Sequence, residues 1–362
     1  MTATQRITEV RNAAAVRAEE RLATITVAGI RSPILDTGPG AADEAVVFVH
    51  GNPGSSRDWE DMVGRVAPFA RAIAFDMPGF GRADKPENFD YTVEGYARYL
   101  GAALDALRIK HAHLVLHDFG GPWGLAWAAM HPQAFASVTL IDIGILPGYS
   151  WHYLAKIWRM PLVGEIFNAT TTRFGFHSLL KHGNPRGLPK VFVDRMYDDY
   201  DRGTKKAVLK LYRATSDFDS FAELVKATLK PLNRPALVVW GKHDPYLPVA
   251  FAQRQRDVFP DAQIEILEGS GHWPFVDDPE QVAALVVPFL KQVVSKQGSG
   301  RKFRPPRQPA LVRNDCRLFR ERFVLREYLV APEHKKWLTM TSSSLAAVSP
   351  AVPRRSCLRG AD

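Results

Sequence analysis

The fold is decided by one stretch of sequence, Ala112-His113-Leu114-Val115-Leu116-His117-Asp118-Phe119-Gly120-Gly121. A run of aliphatic residues ends at a carboxylate, and two glycines then open an apolar segment from Pro122 to Met130. This order predicts a strand, a sharp turn and a helix. Such a turn holds its central side chain clear of the sheet, and small residues after it let strand and helix pass closely. We therefore expect Asp118 to stand at the tip of the turn as a nucleophile.

The rest of the chain alternates between strand and helix patterns. Further strands are expected at residues 23–27, 31–36, 45–49, 70–75, 137–142, 236–241 and 263–267, and further helices at 58–66, 92–107, 249–258 and 279–294. Continuous apolar runs such as residues 45–49 are typical of strands that are buried on both faces. The alternation predicts an α/β fold with a mostly parallel central sheet flanked by helices.

The alternation also divides the chain. Residues 23–143 and 231–296 form the two parts of the expected core, and residues 144–230 between them are rich in aromatic residues and helix formers without a strand pattern. We interpret residues 144–230 as an inserted helical cap. Residues 1–22 are a charged, alanine-rich extension, and residues 297–362 form a basic, Pro- and Ser-containing tail that we expect to be disordered.

Charge and cysteine content exclude several classes of function for the expected core and cap. The chain has a net charge of +9, but the segment from Gly298 onward holds 14 of the 47 basic and 5 of the 38 acidic residues, and so carries all of that surplus. We therefore expect no nucleic-acid partner for the main domain. Cys316 and Cys357 both lie in the tail, which leaves the rest of the chain without a disulfide framework or a thiol nucleophile.

Other expectations concern cofactors and location. The histidines show no helix-spaced ligand pair, so we expect neither a metal nor another cofactor. No apolar run reaches the roughly 18 residues of a membrane span, and the N-terminus lacks the apolar core of a secretory signal. We expect a cytoplasmic protein. The sequence leaves the oligomeric state open.

Four motifs follow expected strands, where open α/β sheets bind ligands. They are His50-Gly51-Asn52-Pro53, the Asp118 turn, Gly241-Lys242-His243-Asp244-Pro245 and Gly269-Ser270-Gly271-His272-Trp273-Pro274. Their order over about residues 22–295 resembles the α/β-hydrolase superfamily, in which a nucleophile on a sharp elbow, an acid and a histidine follow in chain order. An aspartate on the elbow is similar to the epoxide hydrolase and haloalkane dehalogenase branch.

The resemblance implies a catalytic triad of Asp118, Asp244 and His272, with backbone N–H groups of Asn52 and Phe119 as the oxyanion hole. A carboxylate is ionised at neutral pH and can attack an sp³ carbon to form an alkyl ester. Water deprotonated by His272 would then hydrolyse that ester, while Asp244 orients the imidazole. The expected partners are a small apolar substrate and water. His50, His117 and Asp76 are instead expected to have a structural role, in which they support loops by hydrogen bonds.

Epoxide and haloalkane chemistry need different support for the leaving group. An opening epoxide develops alkoxide character and needs an acid, and Tyr153 and Tyr212 resemble the two cap tyrosines of epoxide hydrolases. The His-Gly-x-Pro pattern of residues 50–53 also fits that group. We therefore expect an epoxide hydrolase acting on a small apolar epoxide. Its pocket over Asp118 is expected to be lined by Phe119, Trp151, Tyr153, Tyr212 and Trp273.

Two alternatives stay open. In a haloalkane dehalogenase, Asn52 would bind the halide and Leu116 would also fit, but Phe119 stands where dehalogenases place a tryptophan N–H donor. Replacement donors would have to come from the tryptophans Trp151, Trp158 or Trp273. The other alternative is a hydrolase-fold binding protein that has lost catalysis. An intact set of Asp118, Asp244 and His272 argues against it.

Overall fold

The computed structural model describes residues 23–38, 43–182, 184, 186–215 and 217–298. The predictions for residues 1–22 lie outside the described residues. So do those for the tail, apart from its first two residues, which end the last helix.

Within the described residues, eight strands form one sheet in the order β1-β2-β4-β3-β5-β6-β7-β8. β1 pairs with β2, and β2 with β4, in antiparallel fashion, and every other neighbouring pair is parallel. The prediction of a mostly parallel sheet is confirmed. The strands are β1 (Ala23–Val27), β2 (Ile30–Asp36), β3 (Glu44–Val49), β4 (Ala72–Phe75), β5 (His111–His117), β6 (Phe135–Ile141), β7 (Ala236–Gly241) and β8 (Gln263–Leu267).

The centre of the sheet is apolar on both faces. β6 and β7 are buried at every residue, and β3 and β5 at every residue but their first. Strands of this kind need cover on both sides, because each face buries aliphatic side chains. The edge strand β8 instead alternates between exposed and half-buried positions before it ends at the buried Leu267.

Helices that follow the strands supply that cover. They are α1 (Glu60–Val66), α2 (Val93–Ala106), α3 (Gly120–Met130), α10 (Ala250–Arg254), α11 (Pro274–Asp277) and α12 (Pro279–Gly298). Thr92 caps α2 as expected, because its Oγ1 accepts a hydrogen bond from the Gly95 N–H at 3.0 Å. The helix expected at residues 249–258 is shorter, since α10 ends at Arg254 and a 3₁₀ turn, Gln255–Asp257, follows.

Within its described residues, the connection between β6 and β7 contains helices and no strand. Its helices are α4 (Tyr153–Arg159), α5 (Val163–Thr170), α6 (Arg173–His182), α7 (Lys190–Asp199), α8 (Arg202–Ala214) and α9 (Phe218–Leu229). We call residues 153–229 the helical insertion. α8 is its most amphipathic helix and buries Val208, Leu211 and Tyr212. The domain boundaries expected at residues 144 and 230 stay predictions.

A search of the same residues for membrane spans gives a negative result. None of the described helices combines the length and the apolar character needed to cross a bilayer.

Candidate active site

Asp118 occupies the sharp turn between β5 and α3, with φ at +48°. A residue other than glycine in this left-handed region is uncommon and is kept only where its surroundings demand it. Neighbouring glycines make the turn possible. A Cβ on Gly51 would lie 2.3 Å from Asp118 Oδ1, and one on Gly120 would lie 2.3 Å from the Val49 carbonyl oxygen. The predicted strand, turn and helix are confirmed.

The carboxylate of Asp118 has different neighbours on its two oxygens. Oδ1 accepts a hydrogen bond from the Asn52 N–H at 2.7 Å, and Oδ2 lies 3.5 Å from His272 Nε2. Burial alone would raise the pKa of Asp118, but the hydrogen bond and charge of His272, with the Asn52 N–H, hold the pKa below its ordinary value. The carboxylate is therefore ionised at neutral pH.

His272 links this carboxylate to a second one. Its Nδ1 lies 2.7 Å from Asp244 Oδ2, while Asp244 Oδ1 accepts the backbone N–H groups of Tyr246 and Leu247 at 2.7 and 2.9 Å. Burial would lower the pKa of His272, but the charge of Asp244 and the contact with Asp118 outweigh it, and the pKa lies well above its ordinary value. The resting arrangement is an imidazolium between two carboxylates, with Nδ1–H directed to Asp244.

The residues expected as the oxyanion hole lie on both sides of the turn. The Asn52 N–H already bonds Asp118 Oδ1. Phe119 directly precedes α3 as its N-terminal cap residue, so helix bonds do not use its N–H. The Asn52 amide therefore stands next to Oδ1, and the Phe119 amide follows directly after Asp118 in the chain.

Two chambers meet at Asp118, with volumes of about 570 and 330 Å³ including the space at their openings. The larger chamber is lined mostly by the helical insertion, together with Asn52, His272 and Trp273. The smaller chamber is lined by Phe119 and by residues 143–151 before α4, together with Phe218 and Leu247. Residues that line both chambers are Asp118, His152, Tyr212 and Tyr246.

Tyr212 extends from α8 into this junction. Its side chain is buried, and its hydroxyl oxygen lies 3.4 Å from Asn52 Nδ2, which donates to it. Burial, and then the negative charge of Asp118, raise the pKa of Tyr212 well above its ordinary value. The phenol is therefore neutral and can donate its proton. Tyr212 thus lines the cavity next to Asp118, and its role as a proton donor stays a prediction.

Tyr153 is not in the cavity, which corrects its expected role beside Tyr212. It is 45% exposed and lines a separate surface depression with Phe167 and Phe174. The preceding residue, His152, lines both chambers instead. His152 is the extended cap residue before α4 and Tyr153 is its first helical residue, so the two side chains point in different directions and only that of His152 reaches the cavity.

The ring of His152 has a defined proton position. Its Nδ1 accepts a hydrogen bond from the Ala155 N–H at 3.2 Å and so caps α4. Burial lowers the pKa of His152 to about 4, so the ring is neutral at pH 7 and carries its proton on Nε2. The sequence carried a signal for this position, since a polar acceptor directly before a helix is typical of a cap. Our prediction nevertheless named Tyr153 and not His152.

Tyr246 is a second residue that sequence reasoning missed. It lines both chambers, its ring lies 5.1 Å from that of His272, and its hydroxyl is buried without a hydrogen-bond partner among the described residues. Its position two residues after Asp244 was the available signal.

The tryptophans expected near the site have different surroundings. Trp151 lines the smaller chamber, and Trp273 lines the larger one. Trp158 also reaches the larger chamber, but its Nε1–H donates to Asn168 Oδ1 at 3.0 Å and is not available to a halide. The Nε1 of Trp273 is buried and has no hydrogen-bond partner within the described part of the chain.

Three polar residues support the loops that carry the site. His50 Nε2 accepts from the Met77 N–H at 2.9 Å, and Asp76 accepts from the Ser56 and Arg82 N–H groups at 2.7 Å. His117 Nε2 lies 2.7 Å from the His272 carbonyl oxygen. Burial lowers the pKa of His117 to about 3, so it is a neutral donor to that carbonyl. The described residues contain no cluster of three or more His, Cys, Asp or Glu side chains that could hold a metal ion.

Comparison with known proteins identifies the family. Residues 44–279 match the family model described as alpha/beta hydrolase fold, and the chain belongs to this family. An uncharacterised protein of Mycobacterium tuberculosis is 29% identical over 289 residues, which cover 73% of this chain and 80% of the relative. A haloalkane dehalogenase of Mesorhizobium japonicum is 35% identical over 175 residues, which cover 46% of this chain and 55% of the relative.

A solved structure is similar over most of the described fold. The haloalkane dehalogenase DatA from Agrobacterium tumefaciens C58 superposes with a TM-score of 0.66 at 25% sequence identity. The match covers 75% of this chain and 96% of DatA. The chain is therefore a hydrolase-family protein with dehalogenases among its relatives.

Proposed function

We propose that the protein hydrolyses small apolar epoxides through a covalent alkyl ester on Asp118. One arrangement supports this above all. A buried, ionised carboxylate has one oxygen on a backbone N–H and the other beside His272, while the Tyr212 hydroxyl and His152 reach the same junction. A nucleophile, a base and proton donors for the leaving oxygen are thus present around one cavity.

In the first step, Asp118 Oδ2 attacks an epoxide carbon, because Oδ1 is held by the Asn52 N–H. A C–O bond of the epoxide breaks as the ester bond forms, and its electron pair goes to the epoxide oxygen. That oxygen takes the proton of the Tyr212 hydroxyl, while His152 Nε2–H donates a hydrogen bond to it. The products of this step are a hydroxyalkyl ester on Asp118 and a Tyr212 phenolate.

The first step also prepares the second. The ester carries no charge, so the pKa of His272 falls once Asp118 is alkylated. The imidazolium then gives its proton through solvent to the Tyr212 phenolate. Neutral His272 takes a proton from water, and the hydroxide attacks the ester carbonyl carbon.

The collapse of the tetrahedral intermediate releases the product and restores the resting enzyme. Its oxyanion is the former Oδ1, which faces the N–H groups of Asn52 and Phe119. The ester C–O bond breaks, the departing diol oxygen takes a proton from His272, and the new Asp118 carboxyl returns its own proton to His272. One epoxide and one water give one diol.

The test uses a His272→Gln variant, which keeps Asp118 but lacks the base for the second step. Incubation with an aryl epoxide is expected to add the mass of the epoxide to the peptide that contains Asp118, as read by mass spectrometry. The matched control is the double variant with Asp118→Asn, in which no adduct is expected. An adduct on a peptide without Asp118 would contradict the proposal. No adduct with any epoxide or bromoalkane would also contradict it and would favour a binding protein.

Haloalkane dehalogenation is the second candidate, since two of the similar proteins are dehalogenases and Asn52 lines the larger chamber. It uses the same ester on Asp118. Phe119 argues against it, because its side chain has no donor for a halide. A competition between an aryl epoxide and a terminal bromoalkane, with diol and bromide followed together, decides between them. Diol without bromide supports the epoxide, and bromide without diol supports the dehalogenase.

A further inference from the structure

We infer that the site is built for a reacting carbon inside an alkyl chain, with a short arm in the smaller chamber and a longer arm in the larger one. The substrate class would then be internal, disubstituted epoxides rather than terminal ones. This inference rests on the ester chemistry proposed for Asp118.

The shared lining of the two chambers is the first observation. Asp118 and the donors His152 and Tyr212 face both chambers, so the reacting atoms lie at the junction and not at a closed end. A terminal epoxide bound at this junction has a carbon chain on only one side. It can fill one chamber and leaves the other without apolar contacts.

The walls of the smaller chamber are suited to an alkyl group. Ile143, Leu146 and Leu247 supply aliphatic surface, and the rings of Trp151 and Phe218 pack 4.8 Å apart. The Tyr149 hydroxyl donates to the Tyr246 carbonyl oxygen at 2.8 Å, so it does not present a free donor to a ligand. Each methylene buried here should improve binding about fourfold.

The larger chamber leads towards the surface. Phe167, Thr171 and Leu179 are half-buried, and they line both this chamber and the outer depression that contains Phe174. A long arm can therefore extend past these residues towards solvent. The smaller chamber has less space, and the half-buried Phe218 forms part of its wall. The two arms of the substrate should therefore differ in length.

The experiment compares isomers of equal size in the full-length protein. cis-3,4-Epoxydecane places an ethyl group in the smaller chamber, whereas 1,2-epoxydecane places nothing there. Two buried methylene-sized groups predict a kcat/KM about 16-fold higher for the 3,4 isomer. Equal values, or a preference for the terminal isomer, would overturn the inference.

A variant tests which chamber holds the short arm. Phe218→Ala enlarges the smaller chamber, so cis-5,6-epoxydecane should gain about tenfold relative to the 3,4 isomer. Phe69→Ala is the matched control, because Phe69 is half-buried beside α1 and lines neither chamber. If Phe218→Ala changes all isomers alike, the smaller chamber does not select the arm, and the inference fails.

A parallel series separates this inference from the proposed function. If 1- and 3-bromodecane release bromide while no epoxide is opened, the epoxide proposal fails, but faster turnover of 3-bromodecane still supports the two-arm site. If nothing is turned over, titration calorimetry with decane-1,2-diol and decane-3,4-diol gives the answer. A lower Kd for the 3,4-diol supports the inference, and equal Kd values overturn it.

Discussion

The loops that follow the strands and the helical insertion meet around one cavity, but they contribute to it in different ways. The loops carry Asp118, Asp244 and His272, whose side chains are at most 13% exposed and are held by backbone N–H groups and by one another. The insertion carries Tyr212 and most of the chamber walls. We therefore expect the nucleophile and the base to come from the loops, and the proton donor Tyr212 with most walls of the larger chamber to come from the insertion.

The outer surfaces of the two regions differ as well. The large apolar residues found exposed in the described part of the chain all lie between Tyr153 and Val191, with Phe174 at 85% and Leu162 at 76% exposure. The insertion therefore carries large apolar side chains on its outer as well as its inner side. For this reason its apolar pattern does not reveal which residues face Asp118, whereas the buried strands leave no such ambiguity.

The largest effect is expected from a change in the loops. Asp118→Asn keeps the shape of the side chain but removes the nucleophile, so single-turnover product formation should fall by about 10⁴-fold or more. Circular dichroism should show an unchanged fold. Residual activity near the wild-type level would show that the nucleophile is another residue. It would then be wrong that the loops carry the nucleophile.

Asp244→Asn should slow hydrolysis of the Asp118 ester more than its formation. Without the carboxylate, the imidazole of His272 loses its orientation and its stabilising charge, so ester hydrolysis should slow by about 10³- to 10⁴-fold. Rapid-quench kinetics should show the ester accumulating. An equal loss in both steps would mean that Asp244 supports the fold of the site rather than the base.

A pair of matched substitutions tests the contribution of the insertion. Tyr212→Phe removes the proton donor for the leaving oxygen and should lower the alkylation rate by about 10²-fold. Tyr153→Phe removes the same hydroxyl from an exposed position and should change that rate less than about twofold. If Tyr153→Phe has the larger effect, the two tyrosines have the opposite roles.

The rates of alkylation and of ester hydrolysis should depend differently on pH. Below the pKa of His272 in the ester intermediate, the hydrolysis rate should fall about tenfold per pH unit. The lowered pKa of Asp118 keeps the nucleophile ionised, so alkylation should persist as the pH falls until that carboxyl is protonated. Hydrolysis needs neutral His272, so its rate should rise with pH until the pKa that this histidine has in the ester intermediate, where the charge of Asp118 is lost. Pre-steady-state rates between about pH 5 and 9 measure both. Parallel profiles would contradict this assignment.

The smallest effect is expected outside both regions. Deleting the residues after Lys296 should change kcat by less than about twofold and leave thermal unfolding unchanged, because the described site does not include them. Activity assays and unfolding scans of the shortened protein provide the check. A collapse of folding would show that the tail is part of the domain.

The sequence by itself determined the sheet and the residues placed at its strand ends. The bounds of β1, β7 and β8 agree with the predicted ones, and Asp118, Asp244 and His272 come together although far apart in the chain. These features are local, because an apolar run followed by a turn already specifies a strand and the position of the residue that ends it. Parallel pairing then brings the strand ends to one edge of the sheet.

Only the tertiary structure decided which side chains lie opposite Asp118. His152 rather than Tyr153 faces the cavity, Tyr246 joins it, and two chambers meet there. The physical reason is that His152 and Tyr246 lie just outside helices and strands, where neighbouring side chains point in different directions, so that an error of one residue moves a side chain from the cavity to solvent. Sequence patterns locate the start of a helix only to within a residue or two, and packing decides which residue before it faces the cavity.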